Sequence, residues 1–449
     1  MSEARAAYLA RRDALAASLR AQGAATPLGL AKRTSNLFRD RAEGAKHRLD
    51  LSDFRHVIEV DAAQGWVDVE GLCTYEDLVA GTLPHGVLPA VVPQLKTITV
   101  GGAAAGVGIE ATSFRLGLVH DTLLELEVLL PHGEIVTCTP ENERRDLFFG
   151  FPNSYGTLGY ALRLRLRTIP AQPYVRVEHT RCTDHGAFFK LLAERCAGPA
   201  DFVDGVVFDA GTLVVNAGTF VDAAPWHSDY TFEKIYYKSL LEKDTDYLTA
   251  HDYIWRWDTD WFWCSKNLLA QNPFVRRLLG RERLNSRTYT RFMRFNSKWG
   301  FTRALSRLRG RHPESVIQDV DIPLANAPAF LSFFLREIGV LPIWTCPIGP
   351  AQHGNAFPLY PLTSQGLYVN FGFWDVIESK TPHEPGHFNR LIEQKVLELG
   401  GIKSLYSDCY FDRATFARAY AIDRYQALKA KYDPQQRTLG LYEKCVLRA

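Results

Sequence analysis

Residues Gly101 to Gly108 (GGAAAGVG) hold four glycines and three alanines in eight positions. The β-branched run Thr97-Ile98-Thr99-Val100 feeds into them, and Ile109-Glu110 follows. Backbone N–H groups approach a bulky ligand only where side chains are absent. This composition therefore suits a cradle for a phosphate-bearing cofactor. A glycine-rich structural turn with no ligand has the same composition. Two familiar phosphate sites are excluded. A Rossmann fingerprint needs GxGxxG opening a helix and an acid about 20 residues on, but Gly106-Val107-Gly108 is followed by no third glycine. The P-loop pattern GxxxxGK[ST] does not occur. A second cluster, Asn153-Ser154-Tyr155-Gly156-Thr157-Leu158-Gly159, lies about 50 residues on. Two such turns can clamp the two ends of one long cofactor.

The elements that must position these turns alternate short strands and helices. The N-terminal stretch 1–23 reads as an Ala-rich amphipathic helix with several arginines. A polar, basic stretch, Lys32 to Arg41, follows it. Val57–Val60 and Trp66–Glu70 read as strands around a turn, and Tyr75–Ala80 as a short helix. Leu123–Leu130 and Gly133–Cys138 read as a hairpin. Tyr160–Ile169 (YALRLRLRTI) alternates apolar residues with Arg, the pattern of a half-buried strand with one wet face. Beyond Pro170 the texture changes. Strands are expected at Val175–His179, Val206–Asn216, Val316–Pro323, Pro342–Cys346 and Leu367–Phe373, with helices at Ala187–Cys196 and Pro328–Ile338. The last 50 residues carry a helix at His387–Leu399, a short strand at Ser404–Tyr410 and a helix at Arg413–Lys431.

The chain has 449 residues, too long for one ordinary core. Its 46% apolar and 23% charged content is that of a globular protein. A net charge of +2 gives no reason to expect nucleic acid. No apolar run reaches the roughly 20 residues of a membrane span. The eight cysteines form no CxxC, so neither a metal site nor a disulfide framework is expected, and a reducing cytoplasm fits.

With both glycine clusters in place, the pattern becomes specific. Pro93, Thr99-Val100-Gly101-Gly102, Gly106-x-Gly108, Gly117, Asp121, Gly133, Asp146-Leu147-Phe148 and Gly156-Thr157-Leu158-Gly159 resemble the FAD-binding domain of the PCMH-type flavoproteins, the vanillyl-alcohol oxidase superfamily. The pieces GxGIE, CTPENERRDLFFGFPNSYGTLGY, VIQDVDIP, PIWTCP and YSDCYFDRATF resemble the delta(24)-sterol reductase branch, in order from about residue 30 to 445. The resemblance implies an α+β fold: a two-part PCMH-type FAD-binding domain (1–175), an antiparallel-sheet substrate or cap domain (176–400), and a C-terminal segment (401–449) returning to the flavin. It implies FAD contacts at Thr99, Val100, Gly101, Gly102, Gly106, Gly108, Ile109, Glu110, Ser113, Asp121, Ser154, Gly156, Thr157 and Gly159. Thr34, Ser35 and Asn36 are expected at the pyrophosphate, with Arg33 or Arg39 as counter-charge. Many members attach the flavin through a His in that first loop. Here the loop holds neither His nor Cys, so the FAD is expected to be non-covalent. Sterol reductases also begin with a membrane anchor, where this sequence has the Ala/Arg helix.

The substrate side is aromatic and basic. DYIWRWDTDWFWC (252–264) holds four of the nine Trp, and residues 276–311 carry eleven Arg and one Lys against one Glu. Arg287, Arg291, Arg294 and Lys298 share one helical face. The segment 252–312 can lie on an anionic bilayer; an ordinary solvated cap has the same charge pattern. Chemistry beside a flavin needs a hydride and a proton handled together. Tyr406 and Asp408, two apart on the expected strand with Tyr410, are expected to supply the proton. Gln318 and Trp344 are expected to shape the pocket, with Asp319 and Asn370 also on cap strands.

The expected function is FAD-dependent oxidoreduction of a CH–CH/C=C pair in a lipid. A methyl- or methylene-branched fatty acyl chain, as in similar bacterial flavin enzymes, comes first. A sterol side chain, or alcohol or sugar oxidation, is the alternative. NADPH or another donor or acceptor is the expected redox partner. The protein is placed in the cytoplasm, on the membrane surface.

Overall fold

The computed structural model describes residues 2–21, 27–31, 47–299, 309–349, 357–363 and 366–448. Two antiparallel sheets organise them. The first takes its strands from the first 170 residues. Its order is β3 (Val57–Asp61), β4 (Trp66–Glu70), β8 (Tyr160–Pro170), β6 (Leu123–Leu129), β7 (Ile135–Cys138), and β5 (Val87–Pro89) pairs with the end of β8. Ahead of it, β1 (Leu28–Leu30) and β2 (His47–Leu49) form a separate parallel pair. The second sheet has eight strands in the order β12 (Thr245–Thr249), β9 (Tyr174–Cys182), β11 (Thr212–Val221), β10 (Phe202–Asp209), β14 (Ile343–Ile348), β15 (Tyr368–Ser379), β13 (His312–Pro323), β16 (Ile402–Lys403). The fold is α+β, with each sheet backed by helices. The single strand expected at 206–216 is the β10–β11 hairpin, turning where Asp209 accepts from the Gly211 N–H.

The Arg-bearing face of β8 is not wet. Helix α1 (Glu3–Ala21) lies across it, burying Tyr8, Ala16 and Leu19. Arg163 is fully buried, and its Nη1 donates to Asp68 at 2.8 Å. Arg165 and Arg5 reach the other Asp68 oxygen, each at 2.8 Å. The Tyr8 hydroxyl donates to Glu127 at 2.5 Å, and Arg11 pairs with Glu70. Strand periodicity shows which side chains share a face, but not whether another element covers that face. The acids that neutralise these arginines lie on the neighbouring strands, and the covering helix adds Arg5 and Arg11 to them.

Asp68 holds this layer together. Burial raises its pKa, but the Arg165 hydrogen bond and the charges of Arg163, Arg165 and Arg5 outweigh burial and hold the carboxyl below its usual range. A depressed folded pKa adds stability that is complete above the unfolded value, about 3.9, and is lost as pH falls through the folded one. Asp68→Asn is therefore expected to cost about 2–4 kcal/mol at neutral pH. It should also remove this site's share of the acid-induced loss. Urea denaturation at pH 7 and at about pH 2.5 checks both.

The glycine segment does not continue a strand. Val100–Ala105 is a short helix, α3, and the residue just before it, Thr99, makes only a lone bridge with Thr74. α3 packs backbone on backbone against the first sheet. A Cβ on Gly101 would lie 2.7 Å from the Gly71 carbonyl oxygen, and one on Gly108 would lie 2.7 Å from Val119. These two glycines are needed for packing. The C-terminal helix expected at 413–431 is two, Arg413–Ala419 and Ile422–Tyr432, broken at Ala421 with φ 44°. The second of them docks on the second glycine cluster through Lys429, whose Nζ donates to the Thr157 carbonyl at 2.8 Å, and on the helix Arg145–Gly150 through Tyr432, which donates to Asp146 at 2.6 Å.

Candidate active site

One cavity of about 620 Å³ is lined by residues from both sheets. The glycine segments form one of its walls. The Asn153 and Tyr155 N–H groups donate to the Gly106 and Ala105 carbonyls at 3.2 and 2.8 Å. The two clusters are thus tied side by side rather than set at opposite ends. Thr99, Gly101, Gly102, Gly106, Gly108 and Ile109 line the cavity from the first, and Gly156 and Gly159 from the second. Gly156 has φ +73° and Gly159 φ +143°, conformations that favour glycine. Arg48 and Lys444 bring positive charge to the lining, Lys444 held by its 2.5 Å bond to the Tyr155 carbonyl.

Other expected contacts shape these loops from behind. Val100 sits fully in the core. Ser113 Oγ accepts from the Glu110 N–H at 3.1 Å, and Asp121 accepts from the Leu118 N–H at 2.8 Å beneath Gly117. Thr157 Oγ1 donates to the carbonyl of Ser154 at 2.7 Å. None of these side chains lines the cavity. Thr34, Ser35 and Asn36, with Arg33 and Arg39, lie outside the described residues. The strands flanking that stretch contribute Leu28, Gly29, Leu30 and Arg48 to the lining.

The opposite wall is aromatic: Trp261, Phe262, Trp344 and Trp374. Trp261, Phe262 and Trp263 are three consecutive residues with left-handed φ (44°, 47° and 60°). Non-glycine residues in that region cost about 1 kcal/mol or more each. The turn is held by stacking of Trp261 on Tyr289 and of Phe262 on Trp257.

Set into this wall is an acid. Asp319 and Tyr406 both line the cavity and hydrogen bond to each other. Trp374 Nε1 donates to the Tyr406 hydroxyl at 2.9 Å. Burial pushes the Asp319 pKa up to about 7; Tyr406 and Lys403 pull against it, and the nearby Asp321 adds to it. Burial and the Asp319 charge raise the Tyr406 phenol well above its usual range. Near neutrality the pair thus holds a carboxyl poised to give up a proton, beside a neutral phenol. Asp321, two residues on along the same face of β13, is pushed up to about 6 by burial while accepting from Tyr360 and Asn370, both at 2.7 Å. Gly372 pairs with Asp319 across the strands, and a Cβ there would lie 2.7 Å from Asp319 Oδ1 and 2.5 Å from the Trp374 ring. That glycine in VNFGFW was the missed signal, since a glycine inside a strand marks close approach.

Two expected residues are elsewhere. Gln318 points to the other face of β13 and donates to Asn389 at 2.6 Å, because neighbours in a strand alternate faces. Asp408 is also outside the cavity. β16 ends at Lys403, and residues 404–410 form irregular turns gathered by Lys403, whose Nζ donates to the Asp408 carbonyl. The Asp408 carboxylate pairs with Arg448 at 3.3 Å. Without a strand, the alternation that joined Tyr406 to Asp408 does not hold.

A buried ion network, missed in the sequence, ties the two walls together. Arg256 donates to Glu110, behind the glycine segment, at 3.1 Å and to Asp204 on β10 at 2.7 Å. Trp344 Nε1 donates to the same Asp204 at 3.3 Å. Trp344 is thereby fixed against the cavity.

Residues 8–139 match a family described as FAD binding domain. This chain is an FAD-dependent oxidoreductase. It is similar over most of its length to delta(24)-sterol reductases. The Homo sapiens protein is 28% identical over 422 residues, covering 89% of this chain and 77% of the relative. The Arabidopsis thaliana protein is 25% identical over 451 residues, with the same coverage. Cytokinin dehydrogenase 7 of Oryza sativa subsp. japonica is 34% identical over 163 residues, 35% of this chain and 31% of that one. The cavity fits FAD in kind: a side-chain-poor wall with Arg48 and Lys444 suits a diphosphate, and flat aromatic rings suit a fused-ring system. Asp319 Oδ1 and Gln94 Oε1, on two residues that line it, are buried without a hydrogen-bond partner.

Proposed function

We propose that this oxidoreductase reduces an isolated carbon–carbon double bond in the side chain of a sterol-type lipid, with non-covalent FAD and with NADPH as reductant. The observation that carries this reading is a buried acid, Asp319–Tyr406, set in an aromatic wall of the cavity whose other wall is the glycine segment. When bound, FAD supplies the hydride. An isolated alkene has no carbonyl to polarise it, so the proton must come from an acid held at the neighbouring carbon. Asp319 holds that proton near neutrality, and Tyr406, oriented by Trp374, fixes the carboxyl's position. Trp261, Phe262 and Trp344 exclude water and accept an apolar chain.

Under this reading the backbones of Gly101–Ile109, Gly156 and Gly159 would hold FAD, with Arg48 and Lys444 beside its phosphates. Residues 1–175 would form the flavin domain, 176–400 the cap, and 401–449 a segment closing on both. The sequence alone favoured a branched fatty acyl chain. The relatives that align over most of the chain are sterol reductases, and they shift the reading to the sterol.

The test is anaerobic turnover of FAD-loaded protein with NADPH, in three arms: a sterol with a side-chain double bond, a methylene-branched phospholipid, and simple alcohols. The expected product is the sterol heavier by two hydrogens in the mass spectrum. Reduction of the phospholipid alone would restore the acyl reading. Oxidation of an alcohol with neither lipid touched would overturn both.

A further inference from the structure

We propose that the outer surface of residues 269–292 docks on an anionic lipid bilayer. Large apolar side chains are concentrated there: Leu269 is 72% exposed, Phe274 75%, Leu278 73% and Phe292 45%. Elsewhere among the described residues, the exposed large apolar side chains are scattered singly. Helix α9 (Pro273–Leu279) is inverted relative to an ordinary water-facing helix. One of its two arginines, Arg276, points inward and is buried, donating to Asp260 at 2.5 Å and to the Phe232 carbonyl at 2.6 Å. Phe274 and Leu278, one turn apart, point outward. Because Arg276 anchors the helix from its inner side, Phe274 and Leu278 are held on the outer face, beside the exposed Arg277.

The surroundings favour an anionic lipid surface. Arg283 and Arg291 are exposed and have no carboxylate partner among the described residues. Arg277, Arg281 and Arg287 are exposed too, each with one carboxylate: Glu233 at 3.1 Å, Asp229 at 2.9 Å, and Glu76. Glu282 is the single acid within 269–292. An apolar tip ringed by arginine matches the acyl boundary below a layer of anionic headgroups. The same stretch backs the cavity. Thr290 lines it, and Tyr289 stacks on Trp261, which lines it as well. A bilayer seated on this face would lie against the outside of the aromatic wall. The proposal concerns binding alone and does not depend on which lipid is reduced.

The experiment is vesicle flotation of the FAD-loaded protein, with phosphatidylcholine alone and with phosphatidylcholine and phosphatidylglycerol in equal amounts. The unaltered protein is expected to float with the anionic vesicles and to be released by salt. Phe274→Glu with Leu278→Glu should weaken binding by about tenfold or more. Arg283→Glu with Arg291→Glu should abolish the preference for phosphatidylglycerol. Val376→Glu, an exposed apolar position on β15, should bind as the unaltered protein does. Retained flavin absorbance and an unchanged melting temperature show that each variant is folded. Equal flotation of the Phe274/Leu278 variant, or no flotation of the unaltered protein, would overturn the proposal. So would an oligomer that dissociates in that variant while flotation is unaffected, because the occupant would then be a second copy of this chain.

Discussion

Asp319→Asn is expected to lower turnover by about 10²–10⁴-fold, the range for losing a positioned general acid, while FAD content stays the same. The carboxyl is fully buried, and burial pushes its pKa up to about 7. The acid is active when protonated. Its population falls as pH rises through that value, so kcat of the unaltered enzyme should decline about tenfold per pH unit above 7. The same limb should vanish in Asp319→Asn, because an amide does not titrate. Tyr406→Phe separates the acid from its support. The Tyr406 hydrogen bond lowers the Asp319 pKa, so its loss should move the limb to higher pH and reduce kcat less than Asp319→Asn does. Melting temperature distinguishes this from damage to the fold. A buried carboxyl with a raised pKa is itself unfavourable at neutral pH, so Asp319→Asn should melt no lower than the unaltered protein. Turnover within a few-fold of normal in Asp319→Asn would remove the acid from the mechanism.

The route to Asp319 shows where sequence reading succeeds and where it stops. The strand VIQDVDIP was legible because its β-branched residues alternate, and its place beside the cap followed from the family resemblance. Which of its faces meets the cavity was not legible. Strand periodicity gives two sets, Gln318-Val320-Ile322 and Asp319-Asp321-Pro323, and only tertiary packing chooses between them. Register with Gly372 and Trp374 on β15 puts Asp319 toward the cavity, while Gln318 goes to Asn389. The arginines of β8 failed for a related reason. Alternation was read as a wet face, but Asp68, Glu70 and Glu127 lie on neighbouring strands of the same sheet, and α1 brings Arg5, Arg11 and Tyr8 to them. At Ser404–Tyr410 a polar and aromatic alternation imitated a strand. The buried Lys403 ammonium donates there to the Asp408 carbonyl and the Ser407 hydroxyl instead, so the backbone turns. The Arg256–Glu110–Asp204 network joins residues up to 146 positions apart, and no local pattern announces it. Local signals placed the hairpin at 123–138, the helix at 187–196 (observed as His185–Ala197) and both glycine clusters, because each of these is decided by its own turn and capping residues. Asp184, for example, accepts from the Ala187 N–H at 2.8 Å and starts its helix.

The glycine segment separates into two jobs, and adjacent substitutions should show it. Gly101→Val is expected to abolish soluble folded protein. Its Cβ would fall 2.7 Å from the Gly71 carbonyl oxygen and 3.1 Å from Gly71 Cα, both backbone atoms of the segment next to β4, where no side chain can swing away. Gly102→Val is expected to fold. Gly102 is solvent-exposed on the cavity side of α3, and valine costs no more than glycine within a helix. The branched side chain would instead occupy space at the cavity wall. Overpacking of that kind costs about 1–3 kcal/mol, which converts to roughly 5–150-fold weaker FAD binding. Flavin fluorescence titration of apoprotein measures the Kd, and circular dichroism with a melting curve reports the fold. Normal FAD affinity in a folded Gly102→Val protein would show that the cofactor does not pass over this residue. A well-folded Gly101→Val protein would show that α3 can lift from the sheet, and the rigid backbone-on-backbone wall would have to be given up. The contrast matters because both residues belong to one motif, TVGG, and a pattern match assigns them the same role. Their neighbours assign them different ones: Gly101 lets the protein approach itself, and Gly102 opens onto the cavity.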